Sequence, residues 1–142
     1  MLLVSDFNGA PMKTHVTFRS SKFPPYEGEQ EEINDGIWGR RLAEYLSQEL
    51  TRRGVAVGKV VAEDWGCYIP VEDEAGWLGF CCGHQHGDDD EFQCFTDPST
   101  PIVRKWFRKV DRTASLERLI GAVRAILEDD PDIREIEWRE SF

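Results

Sequence analysis

Three strand-like segments, Cys67 to Val71, Trp77 to Cys82 and Phe92 to Thr96, follow one another with only short polar connections. The first connection is the acidic turn Glu72-Asp73-Glu74-Ala75-Gly76, and the second is the polar tip from Gly83 to Glu91. Parallel neighbours need a crossover of about a dozen residues or more, so this spacing predicts an antiparallel meander. The β-branched run Val55 to Ala62 reads as a further strand interrupted at Gly58, and alternation predicts others at Thr14 to Arg19 and Ile133 to Trp138.

Helical spacing appears on both sides of the meander. Trp38, Leu42, Tyr45, Leu46 and Leu50 recur at intervals of three and four, which predicts a helix beginning near Ile37 and closed by Gly54 in a left-handed cap. Leu116, Leu119, Ile120, Val123, Ile126 and Leu127 predict a second, ended by Asp129-Asp130-Pro131. Thr100-Pro101 resembles an N-cap followed by proline, and Val103, Trp106, Phe107 and Val110 then suggest a short third helix. The segment from Phe23-Pro24-Pro25-Tyr26 to Gly36 reads as loop. The fold class expected is α+β, a two-layer sandwich of a mainly antiparallel sheet with two long helices and one short helix on one face.

A chain of 142 residues with 40% apolar side chains can fill one core, so a single domain is expected over residues 12–142. Met12 reads as a start, leaving residues 1–11 as a disordered extension. The first residues lack the basic segment and apolar length of a secretory signal, and no run reaches the roughly 18 to 20 apolar residues of a membrane span. A soluble, cytoplasmic protein is the expectation, with Cys67, Cys81, Cys82 and Cys94 as reduced, buried thiols.

The charge is segregated along the chain. Residues 1–59 carry eight basic and eight acidic side chains, and residues 104–142 carry nine of each. From Val60 to Val103 there is no Lys or Arg, against ten carboxylates: Glu63, Asp64, Glu72, Asp73, Glu74, Asp88, Asp89, Asp90, Glu91 and Asp97. The formal charge of −10 therefore arises from the meander, where Trp65, Tyr68, Trp77, Phe80, Phe92 and Phe95 also lie. A field of one sign speeds encounter with a basic protein surface, and aromatic anchors supply contact energy. Glu63, Asp64, Trp65, Glu72, Asp73, Glu74, Trp77 and Asp88 to Glu91 are the expected partner-binding residues.

Other chemistries have weaker support. Cys82, His84 and His86, with Cys94 on the next strand, are proper zinc ligands, but their spacing matches no usual zinc finger and the flanking glycines put the histidines in a turn. Glu63 and Asp64 beside Trp65 suit acid–base work only if both reach one substrate, and adjacent strand residues face opposite ways. A Cys/His nucleophile would sit among carboxylates that raise the thiol pKa. No glycine-rich phosphate cradle precedes a helix. Arg104, Arg108 and Arg112, with Lys105 and Lys109, form a cationic row on the expected short helix, yet overall charge opposes nucleic acid.

Phe18-Arg-Ser-Ser-Lys-Phe-Pro-Pro-Tyr26, Trp38-Gly-Arg-Arg-Leu-Ala43, Glu63-Asp-Trp-Gly66 and Cys82-Gly83 together resemble the landmarks of a family of small uncharacterised bacterial proteins. The likeness runs from Met12 to Trp138. In that family the Glu-Asp-Trp-Gly run usually continues with Trp, whereas Cys67 stands here. The resemblance implies a single domain and no assigned activity.

The reading favoured is a small acidic protein-binding module rather than an enzyme, of the inhibitor or toxin-immunity kind, with a metal-binding protein as the alternative. A subunit of a larger assembly is a third reading, and it requires an exposed apolar patch.

Overall fold

In the computed structural model, which describes residues 12–142, the strands are β1 (His15–Arg19), β2 (Val61–Glu63), β3 (Gly66–Val71), β4 (Leu78–Gly83), β5 (Glu91–Asp97), β6 (Ile102–Lys105), β7 (Arg108–Asp111) and β8 (Arg134–Arg139). The extension expected at residues 1–11 lies outside the described residues. Six strands form one antiparallel sheet in the order β2-β3-β4-β5-β1-β8, and β6 and β7 form a separate hairpin. The expected meander is β2 to β5, and β1 joins it through β5.

Alternation along each strand divides the sheet into two faces. Val16 and Phe18 of β1 and Phe92 and Cys94 of β5 are buried in the core, whereas His15, Thr17, Arg19, Gln93 and Phe95 turn the other way. The core face continues through Cys82 and Phe80 to Cys67 and Ile69. Its apolar side chains share one cluster with those of the helices α2 (Arg40–Arg52) and α3 (Thr113–Asp129). Leu42, Ala43, Leu46 and Leu50 supply the α2 stripe, and Leu116, Leu119, Val123, Ile126 and Leu127 that of α3.

The start of α2 is fixed by tertiary contacts. Trp38 exchanges backbone hydrogen bonds with His84, donating at 3.3 Å and accepting at 2.7 Å, so Ile37 and Trp38 are held in a bridge and the helix begins at Arg40. Gly39 brings no capping side chain of its own. Glu29, at the head of the single turn α1 (Glu29–Glu32), supplies it: its Oε2 accepts the N–H groups of Gly39 and Arg40, each at 2.8 Å. A segment expected to be loop thus contains the helix cap that α2 lacks. At the other end Gly54 adopts φ +82°, with Gly54 N–H bonded to Thr51 O and Val55 N–H to Leu50 O, the paired bonds of a Schellman motif.

Two expectations fail. The short helix after Pro101 is the β6–β7 hairpin: Val103 faces Val110, and Trp106-Phe107 is the two-residue turn between Lys105 and Arg108. Pairing across a tight turn places apolar residues at separations that imitate helical spacing, while Ile102, Val103 and Val110 are β-branched and favour strand. The expected pair of long helices also contracts. α2 has 13 residues, an ordinary length, and α3 has 17, and the short helix is α1, far from the place expected. The strand at Val55 to Ala62 survives as β2 and a single bridge, Val57 to Val71.

Candidate protein-binding face

On the face turned away from the core, the register sets Arg139, His15, Phe95, Cys81, Tyr68 and Val61 in one row across the sheet. The His15 and Phe95 rings stack at 5.4 Å between centroids, Phe142 meets His15 edge-on at 4.7 Å, and the Trp65 indole lies 6.0 Å from Phe95. Tyr68 lies flat over Gly79, where any side chain would overlap its ring. His15, Trp65, Tyr68, Phe95 and Phe142 all lie outside the core cluster, and Phe142 is 57% exposed. His15, Trp65, Phe95 and Phe142 form an aromatic shelf. Partial burial pushes the His15 pKa below its ordinary value, so its ring is mainly neutral at pH 7 and the shelf stays uncharged there.

Beside the shelf lies a charged cleft of about 350 Å³ whose lining includes Thr17, Arg19, His86, Gln93, Glu135 and Glu137. Arg19 is its hub, pairing with Asp88 at 3.2 Å, Asp90 at 2.7 Å, Glu135 at 3.6 Å and also Glu91. Arg134 reaches Asp90 at 2.7 Å, and Arg139 reaches Glu137 at 2.8 Å. Five carboxylates thus share three guanidinium groups, and exposed Asp89 adds a sixth beside them. A hydrogen bond from Arg134, reinforced by Arg19, holds the Asp90 carboxyl below the usual range, so it stays ionised at neutral pH. Glu135 takes a left-handed φ of 55° where the β1–β8 register slips between Thr17 and Arg19. Such a conformation costs a non-glycine residue on the order of 1 kcal/mol, and it turns this carboxylate towards Arg19.

The expected partner-binding residues divide between the two ends of β4. Glu63, Asp64 and Trp65, where β2 passes into β3, and Asp88 to Glu91, where the β4–β5 connection enters β5, lie at the end occupied by the charged cleft. Glu72, Asp73, Glu74 and Trp77 lie at the other end, roughly 20 Å away at about 3.3 Å per strand residue. Glu72, Glu74 and Trp77 are exposed there. Asp73 is not: its side chain is 3% exposed, and it accepts hydrogen bonds from Ser115 at 2.9 Å and from Arg112 and Arg118 at 3.0 Å each. Its carboxylate is engaged at the first turn of α3, which has no N-cap side chain of its own.

The Cys82, His84, His86 and Cys94 side chains do not converge on one site: the two cysteines lie side by side in the core, and the two histidines have surroundings of their own. Cys82 and Cys94 are register partners on the core face, and all four cysteines are free and buried. Burial pushes the Cys67 thiol up to about 12 and raises Cys81 as well. His84 is buried, stacked on Trp38 at 4.0 Å, with Nδ1 donating to Glu91 O at 2.7 Å, whereas His86 is exposed in the turn. Among the described residues no three His, Cys, Asp or Glu side chains are grouped to hold a metal ion. The cationic row expected on a helix is also taken apart. Arg104, Arg108 and Lys109 are exposed on the hairpin, and Arg112 is buried against Asp73.

Sequence reasoning missed His15, Glu135, Glu137 and Phe142, because they belong to the electrically balanced ends of the chain. The available signal was the alternation in β8, where Ile136 and Trp138 pack on the core and Glu135, Glu137 and Arg139 must face away. It also missed a backbone crossing. A Cβ on Gly39 would stand 2.7 Å from Cys82 O, one on Gly66 would stand 2.6 Å from the same atom, and one on Gly83 would stand 3.1 Å from Trp38 O and 3.2 Å from Gly66 Cα. Three segments distant in sequence, around Gly39, Gly66 and Gly83, therefore meet at one point, where Gly39 and Gly66 leave no room for a Cβ. Among the described residues no helix is long and apolar enough to cross a membrane. Comparisons with protein-family models, with curated proteins and with solved structures found no match.

Proposed function

We propose that this chain is a small acidic intracellular protein-binding module, of the inhibitor or toxin-immunity kind, that receives a basic protein surface on the sheet face opposite its core. The fold we favour is a two-layer sandwich in which the helices cover one face and leave the other to a partner. The observation that carries this reading is the aromatic shelf of His15, Trp65, Phe95 and Phe142, which lies outside the core and beside a cleft rich in carboxylates. Desolvated aromatic side chains within a polar rim are the usual anatomy of an interface hot spot.

The net charge of −10 contributes at longer range by drawing in a cationic partner, an effect that salt screens over about 10 Å at 0.1 M. Glu72 and Glu74 add to that field from the far end, while Asp73 serves the fold. Affinity capture from the source cell at low and high salt tests the proposal, with wild type compared against Glu135→Lys/Glu137→Lys. The expected result is a basic protein retained by wild type at low salt and lost both at high salt and by the variant. Retention of the same proteins by the variant, or indifference to salt, would overturn it.

A further inference from the structure

We infer that the basic ligand of this face is the β6–β7 hairpin of a second copy of the chain, an inference that rests on the proposed role of the face as a receptor. Trp106 and Phe107 form the hairpin tip and are 87% and 103% exposed, unlike any core aromatic. Residues 98–110 carry four cations, Arg104, Lys105, Arg108 and Lys109, and no carboxylate, in a chain of net charge −10. Trp106 is held at φ 59°, a conformation unfavourable for a bulky side chain, in the turn that presents both rings outward. A paired aromatic tip on a cationic stem is the chemical complement of an aromatic shelf beside a carboxylate cleft.

The geometry makes the contact intermolecular. The hairpin leaves the sheet after Asp97, whereas the cleft lies at the Glu91 end of the same seven-residue strand. Within one chain the tip stays off the shelf, because Trp106 and Phe107 remain almost fully exposed while the shelf aromatics stack on one another. Two hairpins pairing with each other would set cations against cations, and two faces meeting would set carboxylates against carboxylates. Hairpin into face is the arrangement in which charges oppose. Such a contact joins different surfaces of the two copies, so it propagates into rings or short chains and does not stop at a symmetric dimer. Two rings bury on the order of 400 Å² between them, about half of one side of a standard interface, so the association should be weak and concentration-dependent.

Sedimentation velocity of the full chain tests this. At low salt the weight-average mass of wild type should climb with concentration, and high salt should abolish the climb. Trp106→Ala/Phe107→Ala lacks the tip and Glu135→Lys/Glu137→Lys lacks the acidic receptor; all four positions are exposed, and circular dichroism confirms that each variant is folded. Each variant alone should remain monomeric, but their equimolar mixture should form a heterodimer and nothing larger, since one intact hairpin and one intact face remain. A monomeric wild type at every concentration, a tip variant that associates like wild type, or a mixture that stays monomeric would overturn the inference. An oligo-arginine peptide titrated into the tip variant reads the receptor separately. Peptide binding without self-association would reject the hairpin as ligand and leave the face as a receptor, and absence of both would reject the two together.

Discussion

Asp73 and Arg112, 39 residues apart, form an ion pair at 3.0 Å in which each side chain is only 3% exposed. Arg112 also donates to Trp77 O at 2.8 Å, so this pair ties the β3–β4 turn to the start of α3. Removing one partner of a buried pair leaves a desolvated charge, at a cost of about 3–5 kcal/mol. Asp73→Ala should destabilise by about that amount in urea unfolding, while Glu74→Ala, one residue on and exposed, should stay within about 0.5 kcal/mol of wild type. Equal effects at the two positions would mean that Asp73 lies in solvent.

Stability should fall at both ends of the pH range. Burial alone would raise the carboxyl pKa of Asp73 and of Asp130, but hydrogen bonds from Ser115 and Arg112 to the first, and from Lys22 and Tyr45 to the second, outweigh it and hold both below the usual range. A depressed carboxyl stabilises the fold above its unfolded pKa, about 3.9, and that stability is lost as pH falls through the lower folded value. On the alkaline side burial raises the Cys67 thiol to about 12, and raises Tyr45, which also donates to Asp130. A raised group stabilises below its unfolded pKa and loses that contribution as pH rises towards the folded value. His15, lowered by partial burial, adds to the acid-side loss as pH falls below its unfolded value of about 6.5, so in thermal unfolding Tm should be highest from about pH 7 to about pH 8 and decline on either side. A Tm still rising from pH 8 to pH 10 would contradict this.

Two glycines should respond to alanine in opposite directions. Gly66 has φ +148° and its Cβ would stand 2.6 Å from Cys82 O, so Gly66→Ala should cost about 2 kcal/mol or more. Gly121 lies within α3 and its Cβ would meet nothing within 4 Å, so Gly121→Ala should add about 0.5–1 kcal/mol. Midpoints of chemical denaturation of the two variants read both signs at once.

All four cysteines are buried as free thiols. Native protein should react with a thiol-specific dye only slowly at pH 8, and all four should react at once in denaturant. A rapid stoichiometric reaction in the native state would place a thiol at the surface.

The strands were legible where one face is apolar. Val16 and Phe18, or Phe92 and Cys94, alternate with outward residues, and the short connections leave no room for parallel crossovers. The β6–β7 hairpin was illegible because Trp106 and Phe107 point into solvent: periodicity assigns large apolar residues to a buried stripe, and here nothing buries them. The start of α2 was displaced by its bridge to His84 and by Glu29, contacts between segments distant in sequence. Charge was legible as a total and misleading as a map. Arg19, Arg112, Arg118 and Arg134 fold back from the balanced ends onto the acidic segment, so a run of carboxylates in sequence becomes a mixed cluster in space. Half of the binding face, Trp65 and Glu91 included, lies in the acidic segment; His15, Glu135 and Glu137 joined it only through strand pairing.

The face itself is tested most directly by amide NMR of nitrogen-labelled protein titrated at low salt with a peptide of alternating Arg and Trp. Shifts concentrated at His15, Thr17, Gln93, Phe95, Glu135 and Glu137, and reversed by salt, are the predicted result. Shifts centred on Glu72 to Trp77, or spread evenly over every exposed carboxylate, would contradict a binding site on the sheet face opposite the core.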